Sequence, residues 1–149
     1  EERIVKENYA DQTIVSVCGE KFLTNIKLHQ EVFGPFSVIV KCKDEVALLA
    51  IIEVLEGQLT GTIIAMPEEI TSFKTIVEEL QQRVGRIIFN GVSTGVEDCP
   101  SMHHGGPYPA STDSRFTAVG IHSVKRWIRP VSFQNFPNEL LPEELKQNE

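Results

Sequence analysis

The chain has 149 residues, of which 41% are hydrophobic and 23% are charged, and its formal net charge is -7. This length and composition predict one globular domain and exclude a disordered polypeptide. The acidic balance argues against a nucleic-acid partner, and no apolar run reaches the roughly 20 residues that cross a bilayer, so we expect a cytoplasmic protein without a membrane partner.

The first part of the chain alternates apolar runs with helical patterns. Residues 13–17 are mostly β-branched and predict a strand, and residues 36–41 (FSVIVK) predict a strand buried on both faces. Between them, residues 22–29 predict a short helical connector. Asp44 is a suitable N-cap for a helix over residues 46–55, and we expect that helix to be buried because it is apolar almost all round.

The pattern continues with a second strand over residues 59–65 (LTGTIIA) and a helix that begins at Pro67. Apolar residues at spacings of three and four extend to Val84, and Gly85 is expected to end that helix. Residues 86–90 (RIIFN) then predict a third strand. Right-handed crossovers between these strands predict an α/β fold, a parallel sheet with covering helices.

The chain changes character after this third strand. Residues 91–112 show no periodicity and are rich in Gly, Pro and Ser, which is typical of a functional or a disordered loop. Short helices are expected at 113–120 and 122–127, followed by an isolated strand at 131–136 (VSFQNF) and a polar tail at 137–149. Because the isolated strand has no partner nearby, another chain or a larger domain must complete the sheet.

No complete catalytic set is visible in the residues. Cys18 and Cys42 lie at strand ends and are expected to be buried and structural. Cys99 could form a nucleophilic pair with His103, or a metal site with His103 and His104, but a plain loop cysteine is the simpler interpretation. A dinucleotide-binding or phosphate-binding glycine motif is absent from the sequence. We therefore predict no catalytic residue and no metal site.

One motif connects the chain to a known family. Residues 30–35 (QEVFGP) resemble the E-[IV]-F-G-P motif of the aldehyde dehydrogenase superfamily. The match continues through the strand that ends at Asn90, the Gly105-Gly106 pair and residues 111–120, and it covers roughly residues 13–136. Within the family, the segments NGVSTGVEDCP, MHHGGPYP and RWIRP are similar to the branch of 2,5-dioxovalerate (α-ketoglutarate semialdehyde) dehydrogenases.

The resemblance implies an organisation and an activity. Residues 1–130 would be the C-terminal portion of an aldehyde dehydrogenase catalytic domain, 131–136 an oligomerisation strand and 137–149 a tail. The parent enzyme would oxidise an aldehyde, such as 2,5-dioxovalerate, to a carboxylate with NAD or NADP, and it would be a homo-oligomer. The family's nucleophilic cysteine, glutamate base and dinucleotide domain lie upstream of the motif, so the isolated chain is expected to be inactive. A non-catalytic α/β dimerisation module is the alternative.

The resemblance also implies roles for individual residues. Glu31 matches the glutamate that binds the nicotinamide ribose hydroxyls, and Phe33 matches the aromatic residue beside the nicotinamide. Val96, Cys99 and Met102 fall in the segment that lines the substrate entry. None of the three cysteines corresponds to the family's nucleophile.

Overall fold

The structure is a computed structural model that describes residues 9–93, 95 and 99–146. Strands and helices alternate up to residue 89, and the rest of the described chain contains turns and short 3₁₀-helices. The predicted α/β class is therefore found. Within the described residues, no helix combines the length and the apolar character needed to cross a membrane.

Parallel strands form two pairs. β1 (Thr13–Cys18) pairs with β2 (Phe36–Lys41), and β3 (Gln58–Ile63) pairs with β4 (Val84–Phe89). The predicted strand 36–41 has the observed bounds, and the others differ by one or two residues at their ends. The expectation of a single sheet is wrong for the described chain, because β2 pairs with β1 and no ladder joins it to β3. Local patterns identify strands but do not specify which strand edges meet in space.

Three α-helices connect these strands, and two of them are shorter than the sequence predicts. α1 (Gly19–Thr24) follows β1, α2 (Glu45–Val54) follows β2, and α3 (Lys74–Gln81) precedes β4. The predicted N-cap of α2 is confirmed, since Asp44 Oδ1 accepts a hydrogen bond from Ala47 N at 2.8 Å. The chain before α3 is a 3₁₀-helix, Pro67–Phe73.

The boundary between α3 and β4 differs from the prediction. Gly85 does not end the helix, because the helix stops at Gln81 and Gly85 lies inside β4. Val84 continues the apolar spacing of α3, although its backbone is already extended. Its side chain is nevertheless buried against Leu80, so the apolar periodicity correctly identified a core residue.

The main core lies between α2, α3 and the β3–β4 pair. Its buried members are Ile52, Ile63, Ile76, Leu80 and Val84. The expectation that β2 is buried on both faces is wrong here, because Ile39 is 52% exposed. α2 is also only half-buried, with Val46 75% exposed. One layer of helices cannot cover both faces of a two-stranded sheet, so apolar side chains remain on the outer surfaces.

The C-terminal third contains little regular structure. Residues 113–120 form turns rather than the expected helix, and the second expected helix is a 3₁₀-helix, Ile121–Arg126. Residues 131–136 join no ladder with any described part of the chain, so the expected strand does not form within this chain alone. Two short 3₁₀-helices, Asn138–Leu140 and Glu143–Leu145, occupy the tail.

Candidate functional site

The segment that carries Glu31 and Phe33 is fixed at both ends. On its N-terminal side, the His29 ring stacks on Phe22 with centroids 4.6 Å apart, and His29 Nε2 is 2.8 Å from the Phe22 carbonyl oxygen. On its C-terminal side, Thr13 N donates to Pro35 O at 2.9 Å, which joins the segment to the start of β1. The intervening residues lie on the surface between these anchors.

A polar cleft of about 470 Å³ lies beside Glu31. The N-terminal half of β3, the middle of β4 and the loop around residue 104 form its walls. The lining residues are Glu31, Glu56, Gly57, Gln58, Leu59, Thr60, Arg86, Ser93, His104, Pro109 and Ala110. Two carboxylates, Glu31 and Glu56, and one guanidinium, Arg86, are therefore among the residues that line this cleft.

A second, mainly apolar cleft of about 720 Å³ is also lined by Glu31. It is lined mainly by β2, by the α1 region and by residues 28–34, including Phe22, Val38, Val40 and Ile51. Phe33 lies at this cleft and is 99% exposed. Glu31 and Gln58 line both clefts, so the Glu31 carboxylate lies where polar and apolar surfaces meet.

Glycines bring the loop that follows residue 102 against the sheet. A Cβ at Gly85 would collide with the carbonyl oxygen of Gly105, and a Cβ at Gly57 would collide with that of Pro107. Gly57 N also donates to Tyr108 O at 3.2 Å. These positions need glycine because backbone packs on backbone there, and that close approach forms the wall of the polar cleft.

The buried hydroxyl of Thr117 also holds this loop in place. Thr117 is 5% exposed, and its Oγ1 accepts a hydrogen bond from His104 N at 2.8 Å and donates to Val119 O at 2.7 Å. Ser111 Oγ similarly contacts both backbone groups of Gly106, with Oγ···O at 2.5 Å. The two hydroxyls satisfy backbone groups that the irregular loop leaves without regular partners.

The three residues that were predicted to line the substrate entry have different positions. Met102 Sδ is 3.6 Å from Nη1 of Arg86, which lines the polar cleft. Cys99 is half-buried, and its Sγ lies 3.4 Å from Ser101 Oγ. Val96 lies outside the described residues. Neither Met102 nor Cys99 is among the residues that line the clefts.

The cysteines differ from their expected environments. Cys18 is exposed and Cys42 is half-buried, so the prediction of two buried cysteines is wrong. Burial, followed by the charge of Asp44, raises the pKa of the Cys42 thiol, which disfavours its thiolate. No hydrogen bond joins Cys99 to His103 within residues 99–146, and no metal-binding group of three or more ligands occurs in the described chain.

A carboxylate–guanidinium pair lies close to the clefts. Arg115 donates to both Asp113 oxygens, with Nε···Oδ1 at 2.9 Å and Nη2···Oδ2 at 2.6 Å. These side-chain hydrogen bonds, with a backbone bond from Arg115 N, lower the pKa of Asp113 to about 2. Asp113 lines a smaller cleft of about 290 Å³ with His104 and Phe116. The contact with Arg115 keeps the Asp113 carboxylate ionised at this cleft.

Sequence reasoning missed Gln58 and Arg86 as residues of the site. A signal for Arg86 was present, because it is the charged residue beside the apolar run Ile87–Phe89 of a predicted strand. A polar side chain within a short buried strand indicates either an ion pair or a ligand contact. Gln58 gave no comparable signal, because it lies at the start of β3.

Two curated relatives match most of the chain. It is 48% identical over 122 residues to the alpha-ketoglutaric semialdehyde dehydrogenase of Acinetobacter baylyi, which covers 82% of the chain and 23% of that protein. It is 39% identical over 139 residues to the alpha-ketoglutaric semialdehyde dehydrogenase 2 of Azospirillum brasilense, covering 93% of the chain and 26% of that protein. The chain thus spans about a quarter of the length of these relatives. No family model matches it.

Proposed function

This chain belongs to the aldehyde dehydrogenase superfamily, and we propose that it forms one wall of the nicotinamide and aldehyde sites of an enzyme that oxidises a semialdehyde to a carboxylate. The names of both relatives support this reaction. On this proposal the chain is the C-terminal portion of the catalytic unit, and further sequence of the same protein supplies the other walls.

The observation that carries the proposal is the position of Glu31. Its side chain is exposed, it makes no ion pair or hydrogen bond within the described chain, and it lies where the polar and apolar clefts meet. An ionised carboxylate only accepts hydrogen bonds, and its two oxygens match the two adjacent hydroxyls of a ribose. Glu31 would therefore hold the nicotinamide ribose through two charge-assisted hydrogen bonds.

Phe33 supports the same orientation of the cofactor. Its ring is exposed to solvent two residues beyond Glu31, at the apolar cleft. An apolar ring in this position gains free energy when a planar ligand removes it from water. Phe33 would pack beside the nicotinamide while Glu31 holds the attached ribose.

The cofactor, NAD or NADP, would supply the hydride acceptor. The residues of this chain bind and orient it, and none of them is proposed to attack the substrate. Cys18, Cys42 and Cys99 are not among the described residues that line the two clefts. In this superfamily a thiolate attacks the aldehyde, so the nucleophile would come from another part of the enzyme.

The segment 131–136 is proposed to pair with a strand of another copy of the enzyme. Val131 is 58% exposed, and the rings of Phe133 and Phe136 lie 5.2 Å apart on the surface. A segment of this composition commonly joins the edge of a sheet. Pairing between copies would give the homo-oligomer that the family resemblance implies.

The first experiment changes Glu31 in the complete protein encoded by the gene. Glu31→Gln keeps the size of the side chain and removes its charge, and Glu31→Asp withdraws the carboxylate. We expect Glu31→Gln to raise the Kd and KM for the cofactor by about 10-fold or more, since a hydrogen bond to a charged group contributes roughly 1.5–3 kcal/mol. Glu56→Gln, which removes a charge from the same polar cleft, should leave both constants nearly unchanged.

Unchanged cofactor binding in Glu31→Gln would refute the proposed contact. A second test uses the isolated chain, which should form no NAD(P)H with any aldehyde, and turnover above background would overturn that expectation. The reading frame of the gene also distinguishes this proposal from the alternative of a non-catalytic dimerisation module. A reading frame that encodes neither a cysteine motif nor a nucleotide domain would instead support a non-catalytic dimerisation module.

A further inference from the structure

Arg86 is the one guanidinium among the described residues that line the polar cleft, and its hydrogen bonds are incomplete. Its Nη1 donates to Gly95 O at 3.0 Å and lies 3.6 Å from the Met102 sulfur. Its Nε is buried and has no hydrogen-bond partner among the described residues. A thioether is a weak acceptor, so within the described chain much of the donor capacity of this guanidinium has no protein partner.

The sheet fixes the position of this side chain. Arg86 lies in the middle of β4 and is the register partner of Thr60 in β3. Arg86 and Thr60 both line the polar cleft, together with Gln58 of β3. A side chain that projects from paired strands is positioned more precisely than one on a loop, which suits a residue that recognises a ligand.

No carboxylate of the described chain neutralises Arg86. Glu31 and Glu56 line the same cleft, but neither forms an ion pair with it in the part of the chain that the structure describes. A half-buried guanidinium without a carboxylate leaves planar donors that match the two oxygens of a carboxylate. The complementary ligand for this position is therefore an organic anion.

We propose that Arg86 is a specificity-determining residue that binds the terminal carboxylate of the aldehyde substrate in the polar cleft. The inference rests on the proposed function and adds the residue that recognises the carboxylate end of the semialdehyde, opposite its aldehyde group. Glu31 and Arg86 would then bind different ligands in the same cleft. The Glu31 carboxylate would accept hydrogen bonds from the cofactor's hydroxyls, and the Arg86 guanidinium would donate hydrogen bonds to the substrate's carboxylate. The hydrogen bond from Arg86 Nη1 to Gly95 O would hold the guanidinium ready for that contact.

The kinetic test compares two aldehydes of equal carbon number in the complete enzyme. Succinic semialdehyde carries the terminal carboxylate, and butanal does not. Arg86→Gln should lower kcat/KM for succinic semialdehyde about 10- to 100-fold more than for butanal, as expected when a charged hydrogen bond is lost. Arg86→Lys should keep part of the discrimination, because it retains the charge and loses the planar geometry.

Arg83→Gln is the matched control. Arg83 also has a buried Nε without a partner among the described residues, but it is not one of the residues that line the polar cleft. Its substitution should change the rates for the two aldehydes by the same factor. If Arg86→Gln also lowers both rates equally, Arg86 only braces the loop at Gly95 and the proposal is wrong.

Direct binding tests the inference without turnover. Succinate and butyrate are the acids formed from the two aldehydes, and calorimetry on the complete protein measures the affinity of each. We expect succinate to bind at least about 10-fold more tightly than butyrate, and Arg86→Gln to abolish that difference while cofactor binding stays unchanged. A difference that survives in Arg86→Gln overturns the assignment of Arg86.

The two proposals can fail separately. Loss of discrimination in Arg86→Gln, combined with normal cofactor binding in Glu31→Gln, would refute the ribose contact and support the carboxylate contact. Normal discrimination in Arg86→Gln with weakened cofactor binding in Glu31→Gln would refute only the role of Arg86.

Discussion

The side-chain amide of Asn90 is joined to the backbone of Ala65 by two hydrogen bonds. Oδ1 accepts from Ala65 N and Nδ2 donates to Ala65 O, each at 2.9 Å. Asn90 has a φ of 48°, a left-handed conformation that asparagine tolerates better than most residues. The amide thus extends the pairing of β3 and β4 beyond the last ladder bond and fixes the start of the loop at residue 91.

Substitution of Asn90 tests this clamp. Asn90→Ala removes both hydrogen bonds and puts in the left-handed region a residue that tolerates it less well than asparagine, so we expect it to lower the free energy of unfolding by about 2 kcal/mol. Asn90→Gly loses the same bonds without the backbone cost and should lower it by about 1 kcal/mol. Urea denaturation measures both changes, and equal losses would show that the backbone conformation contributes nothing.

Gly85→Ala should displace the loop that forms the wall of the polar cleft. The new methyl group would overlap the Gly105 carbonyl, and two rigid backbones cannot both keep their positions. We expect a loss of about 2 kcal/mol or more in unfolding free energy, with amide chemical-shift changes at residues 104–108. Gly95→Ala is the control, because no atom of the described residues lies within 4 Å of the Cβ that it would add. An unperturbed loop in Gly85→Ala would contradict the close backbone contact.

Thr117→Val should destabilise the same loop from its buried side. Valine has nearly the same shape as threonine but cannot accept from His104 N or donate to Val119 O, so those backbone groups lose their buried partner. The expected cost is about 1–3 kcal/mol in thermal or chemical unfolding. Thr112→Val, at an exposed threonine, should cost less than about 0.5 kcal/mol. Similar losses at both positions would refute a special role for the Thr117 hydroxyl.

The pair of Asp113 and Arg115 predicts a pH-dependent contribution to stability. Because the pKa of Asp113 is lowered from 3.8 to about 2, the folded state favours the ionised carboxylate. Its contribution is fully present above the unfolded-state pKa and is lost as the pH falls through about 2. Arg115→Ala should return the pKa of Asp113 towards 3.8, which carboxyl carbon chemical shifts measure directly. A pKa that stays near 2 without the arginine would show that another group stabilises the carboxylate.

Phe33→Ala should separate stability from function. The ring is 99% exposed, so its removal should change the unfolding free energy by less than about 0.5 kcal/mol. If the ring packs against the nicotinamide, the KM for the cofactor in the complete enzyme should rise about 10-fold or more, since burial of an aromatic side chain contributes about 1.5–3 kcal/mol. Phe22→Ala is the opposite control, because Phe22 is 4% exposed and should mainly affect stability. An unchanged KM in Phe33→Ala would remove Phe33 from the proposed cofactor site.

The sequence by itself determined the local features of this protein. The Asp44 cap, the apolar run of β2 and the apolar spacing through Leu80 and Val84 each follow from forces between residues close in the chain. The family assignment was also available, because the EVFGP motif and the segments after it occur in fixed order. Glu31 and Phe33 were identified as site candidates from that motif alone.

Only the tertiary structure decided which strand edges pair and which residues share a cleft. The β1–β2 and β3–β4 pairs are separate, and Glu31 and Arg86, 55 residues apart in the chain, line the same cleft. Both features depend on contacts that no local pattern contains. The glycine contacts at Gly57 and Gly85 place the loop beside β3 and β4, and that placement creates the polar cleft. A strand or a loop becomes part of a site because of the surface that it packs against. That surface can come from residues far away in the sequence.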